Sequence, residues 1–211
     1  MSELIDIHTH HTDGIPGEAI ISVDPRHFVA QPGCWYSVGM HPWYIDKMTE
    51  EETTLVEKLA SHPQVLAIGE AGFDRNRNFD HDLQMSVFMW QNTLSAFIDK
   101  PLIIHMVKSA DLLLWANQFR KDTSWIIHGF RGKPMQAKQL LDAGMYLSYG
   151  EHYNVDALRS TPLDRLFLET DEATCGIDHI YNKVATDLEM DCKALKVQVK
   201  KNIDCVFFKK K

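Results

Sequence analysis

The chain has only four cysteines, Cys34, Cys175, Cys192 and Cys205, and no two stand in a C-x-x-C spacing. That argues against the disulfide framework that staples small secreted domains and leaves free, buried thiols as the expectation. No apolar stretch approaches the roughly 20 residues a membrane-spanning helix needs. The opening Met-Ser-Glu-Leu-Ile-Asp lacks the basic and apolar regions of a signal peptide, so a cytoplasmic location is expected by default. No Gly/Ser/Pro-rich linker, internal repeat or low-complexity tract interrupts the sequence, and residues 1–211 read as one domain. Positive charge is also in short supply. Lys and Arg number 22 against 29 Asp and Glu, a formal net charge of −7. Bulk electrostatics therefore gives no reason to expect a nucleic-acid partner, and local Lys/Arg or bound cations would have to supply the field. Lys209-Lys-Lys211 reads as a solvated end.

What the chain does have is a recurring shape: an apolar run that closes on a histidine or a carboxylate. Leu4-Ile5-Asp6-Ile7-His8 leads into Thr9-His10. Val65-Leu-Ala-Ile-Gly-Glu70, Pro101-Leu-Ile-Ile-His105, Trp125-Ile-Ile-His128 and Leu166-Phe-Leu-Glu-Thr-Asp171 follow the same plan. These runs lack the polar alternation of a sheet with one wet face. Continuous apolar strands belong to parallel sheets buried on both sides. Between them lie helical patterns. Thr49 to Ser61 starts with a Thr and three Glu. Phe79 to Lys100 carries Leu83, Val87, Phe88, Trp90, Leu94 and Phe97. Asp111 to Arg120 follows, then Pro134 to Ala143, which stops at Gly144. Alternating strands and helices define an α/β fold.

The strand count selects the architecture. Leu4–Thr9, Ala19–Val23, Trp35–Met40, Val65–Glu70, Leu102–His105, Trp125–His128, Met145–Ser148 and Leu166–Glu169 make eight. Eight parallel strands with crossovers close as a TIM-like (β/α)8 barrel, whose active site lies at the C-terminal ends of its strands. The histidines and acids fall at that end of strands one, four, five, six and eight. Only closure brings the first and last strands together. Asp24 to Gly33 is short for a crossover helix, so distortion is expected around the second strand. At 211 residues, 45% of them hydrophobic, the chain can fill such a core.

His8 and His10 stand two apart in a strand, so both imidazoles leave the same face. A neutral imidazole is the commonest metal ligand among side chains. Each residue also has a plainer role open to it. Glu70 is able to hydrogen-bond a loop, His105 and His128 to donate to carbonyls, and Asp171 to cap the helix starting near Gly176.

The segments Asp6-Ile-His-Thr-His10, Val38-Gly-Met-His-Pro42, Ala67-Ile-Gly-Glu-Ala-Gly-Phe-Asp74, Pro101-Leu-Ile-Ile-His105, Ile127-His-Gly-Phe-Arg-Gly132 and Leu168-Glu-Thr-Asp171 resemble the TatD family of metal-dependent hydrolases, within the amidohydrolase-like barrels. They occur in family order, and Asn202 to Phe208 resembles the family's closing helix. The resemblance implies two divalent metal ions, Zn, Mn or Mg, and phosphodiester hydrolysis, usually as a deoxyribonuclease acting on DNA. It implies His8, His10, Glu70, His105, His128 and Asp171 as metal ligands, with Glu70 and Asp171 also catalytic. Glu70 is the candidate bridge between the ions, and Asp171 the group that orients water or accepts its proton. Such a nitrogen and oxygen set suits these metals. His41, Lys108 and Arg131 are candidate substrate contacts. Asp74 is a candidate to orient a ligand histidine or to cap the Arg75-Asn-Arg77 loop. Trp35, Tyr36, Trp43 and Tyr44 flank His41, where some are placed to stack on a base. His11 is not counted as a ligand. Two features depart from the family: residues 14–34 are reduced, and Ala173 replaces a frequent proline. The alternative on the same barrel is a small-molecule metallohydrolase acting on an amide, lactone or phosphoester, which a closed apolar pocket of Trp43, Phe73 and Phe130 would favour. A broad mouth lined by Arg75, Lys108 and Arg131 would favour nucleic acid.

Overall fold

The computed structural model describes residues 4–47, 49–76, 80–120 and 122–209. Eight strands run β1 (Asp6–Thr9), β2 (Ala19–Val23), β3 (Trp35–Val38), β4 (Val65–Asp74), β5 (Leu102–Val107), β6 (Trp125–Ile127), β7 (Tyr146–Tyr149) and β8 (Leu166–Leu168). All seven consecutive pairings are parallel and follow chain order. A parallel bridge between Thr9 and Asp171 brings the last strand back to the first. The Asp171 N–H donates to the His8 carbonyl at 2.9 Å, and the His10 N–H to the Asp171 carbonyl at 3.1 Å. Asp6 fastens the same seam from inside: its carboxylate accepts the Thr170 N–H at 3.2 Å and the Thr170 hydroxyl at 2.7 Å. The expected (β/α)8 barrel is the fold.

The helices are α1 (Glu50–Ala60), α2 (His81–Ile98), α3 (Ala110–Ala116), α4 (Pro134–Asp142), α5 (Val155–Ser160), α6 (Ile177–Asp187) and α7 (Cys192–Phe207). Local chemistry explains their starts. Thr49 and Glu52 form a reciprocal capping box on α1. Asp80 caps α2, Pro134 opens α4 and Asp191 caps α7. Phe79, the expected start of α2, and Arg77 lie outside the described residues. Between β2 and β3 the chain makes one 3-10 turn, Pro25–His27, so the barrel is reduced where the short Asp24 to Gly33 stretch predicted it.

Two differences from the sequence reading bear on the site. First, β4 does not stop at Glu70. It continues to Asp74 with a register shift between Ile68 and Ala71. Gly72 makes this possible, because it adopts φ 147° and a Cβ there would sit 2.0 Å from the His105 carbonyl oxygen. Gly69 and Gly72, either side of Glu70 and Ala71, mark a bulge inside a strand instead of its end. β5 likewise runs two residues past His105. Second, α2 does not bury a purely apolar face. Phe97 is 87% exposed, while Gln84 and Gln91 are buried. The four thiols are free, as expected, but none is fully buried.

Candidate metal centre

Glu70 stands at the middle of the C-terminal mouth, projected from the bulged β4. Its two oxygens face different histidines. Oε1 lies 3.0 Å from His10 Nε2 and 3.5 Å from His8 Nε2. Oε2 lies 2.9 Å from His128 Nε2, 3.5 Å from His105 Nδ1 and 3.5 Å from His41 Nε2. Asp171 Oδ1 completes the first side, 3.7 Å from His8 Nε2 and 3.6 Å from His10 Nε2. All six expected ligands therefore meet in one place: His8, His10 and Asp171 form one group with ligand atoms close enough to share a cation, His8, Glu70 and His128 another, and His105 joins Glu70 in a third that also includes His41.

Whether these residues fit a metal is tested by their outward bonds. His105 Nε2 faces Asp74 Oδ2 at 3.2 Å, and His128 Nδ1 faces Glu169 Oε1 at 3.3 Å. A carboxylate behind each ring draws the proton to that nitrogen and leaves the opposite lone pair aimed at the centre. His8 is fully buried, and neither of its ring nitrogens has a hydrogen-bond partner among the described residues. A buried, unpaired imidazole facing two carboxylates is what a cation would satisfy. His41 differs. Its Nδ1 accepts the Trp43 N–H at 3.1 Å, so its neutral ring carries the proton on Nε2 and presents a donor. The set fits divalent metal with His41 as a neighbour rather than a ligand.

Charge follows the same pattern. Burial pushes the Glu70 carboxyl up, yet the His128 and His8 charges and the bonds from His10 and His105 outweigh it and hold it well below the usual carboxylate range. Burial works against the His128 cation, but Glu70 and Glu169 raise it well above an ordinary imidazole. The bond to Glu70 raises His10 as well. Burial pulls His41 down.

Four supporting residues were not singled out in the sequence. Glu169 accepts the Gly129 N–H at 2.6 Å while it holds His128. Asp6 fixes the turn of β1 by accepting the His8 N–H at 3.1 Å. Gln91 clasps both backbone groups of Met40, at 2.8 and 3.1 Å, which sets the loop that carries His41. Gln84 clasps Asp74 in the same way, at 3.0 and 3.3 Å. The two glutamines stand seven apart on one face of α2, and that spacing was the available signal. Asp74 performs both roles considered for it. It bonds His105 and also accepts the Asn76 N–H at 2.8 Å. Its Oδ2 takes the Trp43 indole N–H at 2.6 Å.

A cavity of about 620 Å³ opens over the centre, lined by His10, Arg26, His41, Trp43, Tyr44, Glu70, His105, His128 and Asp171 among others. Neither expected mouth is present. Lys108 does not line this cavity, and Arg75 is held by Asp111 in a bidentate pair at 2.7 Å. Arg131 lines a smaller neighbouring cavity of about 190 Å³ that shares Asp171 and Glu172. Phe73 and Phe130 are core residues. The basic residue at the mouth is Arg26, bonded to Asp24 at 2.6 Å and 3.4 Å from Glu52. His11 turns away to the Ala173 carbonyl at 2.9 Å.

An eight-stranded barrel with imidazoles and acids gathered at its C-terminal mouth defines the class, a TIM-type barrel with a candidate metal centre. The chain belongs to the TatD related DNase family, whose model matches residues 27–207. It is similar to the 3'-5' ssDNA/RNA exonuclease TatD of Cronobacter turicensis, 33% identical over 150 residues that cover 66% of this chain and 57% of that protein. It is also similar to the uncharacterized metal-dependent hydrolase YabD of Bacillus subtilis, 29% identical over 145 residues, 64% of this chain and 57% of that protein. The aligned segment thus spans less than two thirds of either relative. Among solved structures, YJJV, a TatD homolog from Escherichia coli K12, superposes with a TM-score of 0.81 at 19% identity, over 96% of this chain and 98% of that one. No helix among the described residues is long and apolar enough to cross a membrane.

Proposed function

We propose that the protein hydrolyses phosphodiester bonds of single-stranded nucleic acid, with two divalent cations held by His8, His10, Glu70, His105, His128 and Asp171. The observation that carries this reading is the division of Glu70: one oxygen serves His8 and His10, the other His105 and His128. A carboxylate shared in this way suits a bridge between two ions. The imidazole-rich set favours Zn or Mn over Mg, which prefers oxygen ligands and retained water. Bound cations would supply Lewis acidity for water activation and neutralise charge on the phosphate.

The chain's own residues divide the remaining work. Asp171 is partly exposed at the mouth, where its carboxylate is free to accept a proton from the attacking water. His41 offers its Nε2–H to a phosphate oxygen, a role its bond from the Trp43 N–H supports. Trp43 and Tyr44 line the cavity beside it and give a face on which a base stacks. Arg26, not Lys108, is the basic side chain that lines the cavity. Arg131 contacts substrate only where a strand extends past Asp171 into the neighbouring cavity. The preference for single strands follows the name of the Cronobacter relative and the aromatic rings of Trp43 and Tyr44 in the cavity, which suit unstacked bases.

The test is reconstitution of metal-stripped protein with Zn, Mn or Mg and assay on single- and double-stranded DNA and on RNA. Cleavage is expected to require the ion and to fall by at least about 10³-fold in Glu70→Gln. Absence of nucleic-acid cleavage with every ion, alongside turnover of an amide or lactone, would overturn the reading.

A further inference from the structure

The N-terminal end of the barrel, opposite the histidines, carries a second polar cavity of about 390 Å³. It is open to solvent and lined by the segment entering β6 (Asn117, Arg120, Asp122, Thr123, Ser124), by Gly144 and Tyr146 at the start of β7, and by Arg165 at the start of β8. Two guanidiniums converge there on one neutral acceptor. Arg120 Nη1 donates to the Gly144 carbonyl at 3.2 Å, and Arg165 Nη1 reaches the same oxygen at 3.5 Å. The Arg165 guanidinium also lies 4.8 Å over the Tyr146 ring.

Two like charges held side by side ordinarily come with a carboxylate between them. Arg26, Arg75 and Arg159 each hold one, from Asp24, Asp111 and Glu189. Arg120 and Arg165 hold none among the described residues, and Asp122, the acid that lines the cavity, forms an ion pair with neither. A guanidinium has five N–H donors, and each of these arginines spends one on Gly144. Thr123, 7% exposed on the same wall, has a hydroxyl without a partner among the described residues, and Ser124 adds a second hydroxyl. Burial and then the neighbouring Arg165 charge pull the Arg120 guanidinium below its ordinary value, and the charges of Asp122 and Tyr146 offset this only in part.

We propose that this cavity binds a phosphate dianion, either inorganic phosphate or the phosphate end of a phosphomonoester, at a site separate from the metal centre. Guanidinium forks match phosphate oxygens two at a time, and two forks suit a dianion better than a single carboxylate. The volume leaves room for an ester group. Simple capping of α4, whose carbonyl end attracts cations, would need one arginine and leaves most of the donors idle.

The test compares thermal unfolding of the metal-loaded protein, its Arg165→Gln and its Arg120→Lys variants in inorganic phosphate and in a nucleoside monophosphate, at constant ionic strength. All three keep the metal centre, so phosphate bound there cancels in the comparison. At tenfold excess over Kd the wild-type midpoint is expected to rise roughly 3–6 °C more than that of Arg165→Gln. A crystal of the wild type soaked in phosphate is expected to show the anion between the two guanidiniums. A response to both compounds assigns the site to the free anion, a response to the monophosphate alone assigns it to the ester, and either upholds the proposal. Equal responses in wild type and variants, with only water in the soaked cavity, would overturn it; the crystal decides alone if a variant fails to fold.

Discussion

A histidine's role at this centre is decided by what touches its far nitrogen. His105 and His128 have carboxylates behind them and turn lone pairs inward; His41 has a backbone N–H behind it and turns a proton inward. None of this is visible in a string of letters, where the three look alike at the ends of apolar runs. Glu169 escaped notice for the same reason, since it sits in the segment whose last acid, Asp171, drew the attention. Its function is exposed by Glu169→Gln. The amide keeps an oxygen for Gly129 and His128, and its NH2 faces the Ser148 hydroxyl that bonds the carboxylate and can turn to accept, so the fold is expected to survive. The lost charge makes His128 a poorer ligand. Cation affinity, read by competition with a coloured chelator, is expected to fall 10–100-fold. An unchanged affinity would leave Glu169 with a purely structural role.

At the scale of elements, strands were the most legible part of the sequence. A run such as Trp125-Ile-Ile has one physical use in a soluble α/β protein, burial on both faces. Helix starts were nearly as clear because Thr49 and Pro134 act through local chemistry. Less legible was the polar clamp on α2, since a periodicity search weighs apolar residues and passes over a buried glutamine. Gln91→Ala tests that clamp. It strands the N–H and C=O of Met40 in a dry site, at a cost of about 2–4 kcal/mol read by urea unfolding. It also loosens the His41 loop while touching no proposed ligand, so cation affinity is expected to stay within a few-fold as kcat drops. A second element joint titrates. Thr161 spends its hydroxyl proton on the Ala157 carbonyl, so the Tyr149 hydroxyl on β7 donates to Thr161 at 2.7 Å. Burial pushes the Tyr149 phenol up to about 12. The neutral form is the one the fold favours, so its contribution is complete below pH 10 and is lost as pH climbs from 10 through 12. Tyr149→Phe is expected to unfold more easily by about 1 kcal/mol at pH 8 and to escape up to about 3 kcal/mol of the alkaline decline. Parallel urea curves at pH 8 and 11.5 would check both signs.

At the scale of the whole molecule, barrel closure was legible because acids and histidines fell on the first and last strands, which only a closed sheet makes neighbours. The crossover rules that put the site at the C-terminal mouth also leave the opposite end out of view, and the paired arginines there had no motif to announce them. Closure and the metal centre are one mechanical unit. The seam between β1 and β8 is short: one isolated bridge, the His10 and Asp171 amide bonds, and the Asp6–Thr170 fastening. His8 and His10 stand on one side of it and Asp171 on the other. A cation shared by these three would tie the two edges together, whereas β4 and β5 are paired over five registered positions and need no such tie. Stripping the metal is expected to speed hydrogen exchange at the His10 and Asp171 amides at least about 10-fold, through local opening of the seam, while the β4–β5 amides keep their protection. Alanine at Asp6 should open the same amides even in metal-loaded protein. Exchange that accelerates uniformly around the sheet, or not at all, would show that the seam holds without the ions and that loading serves chemistry alone.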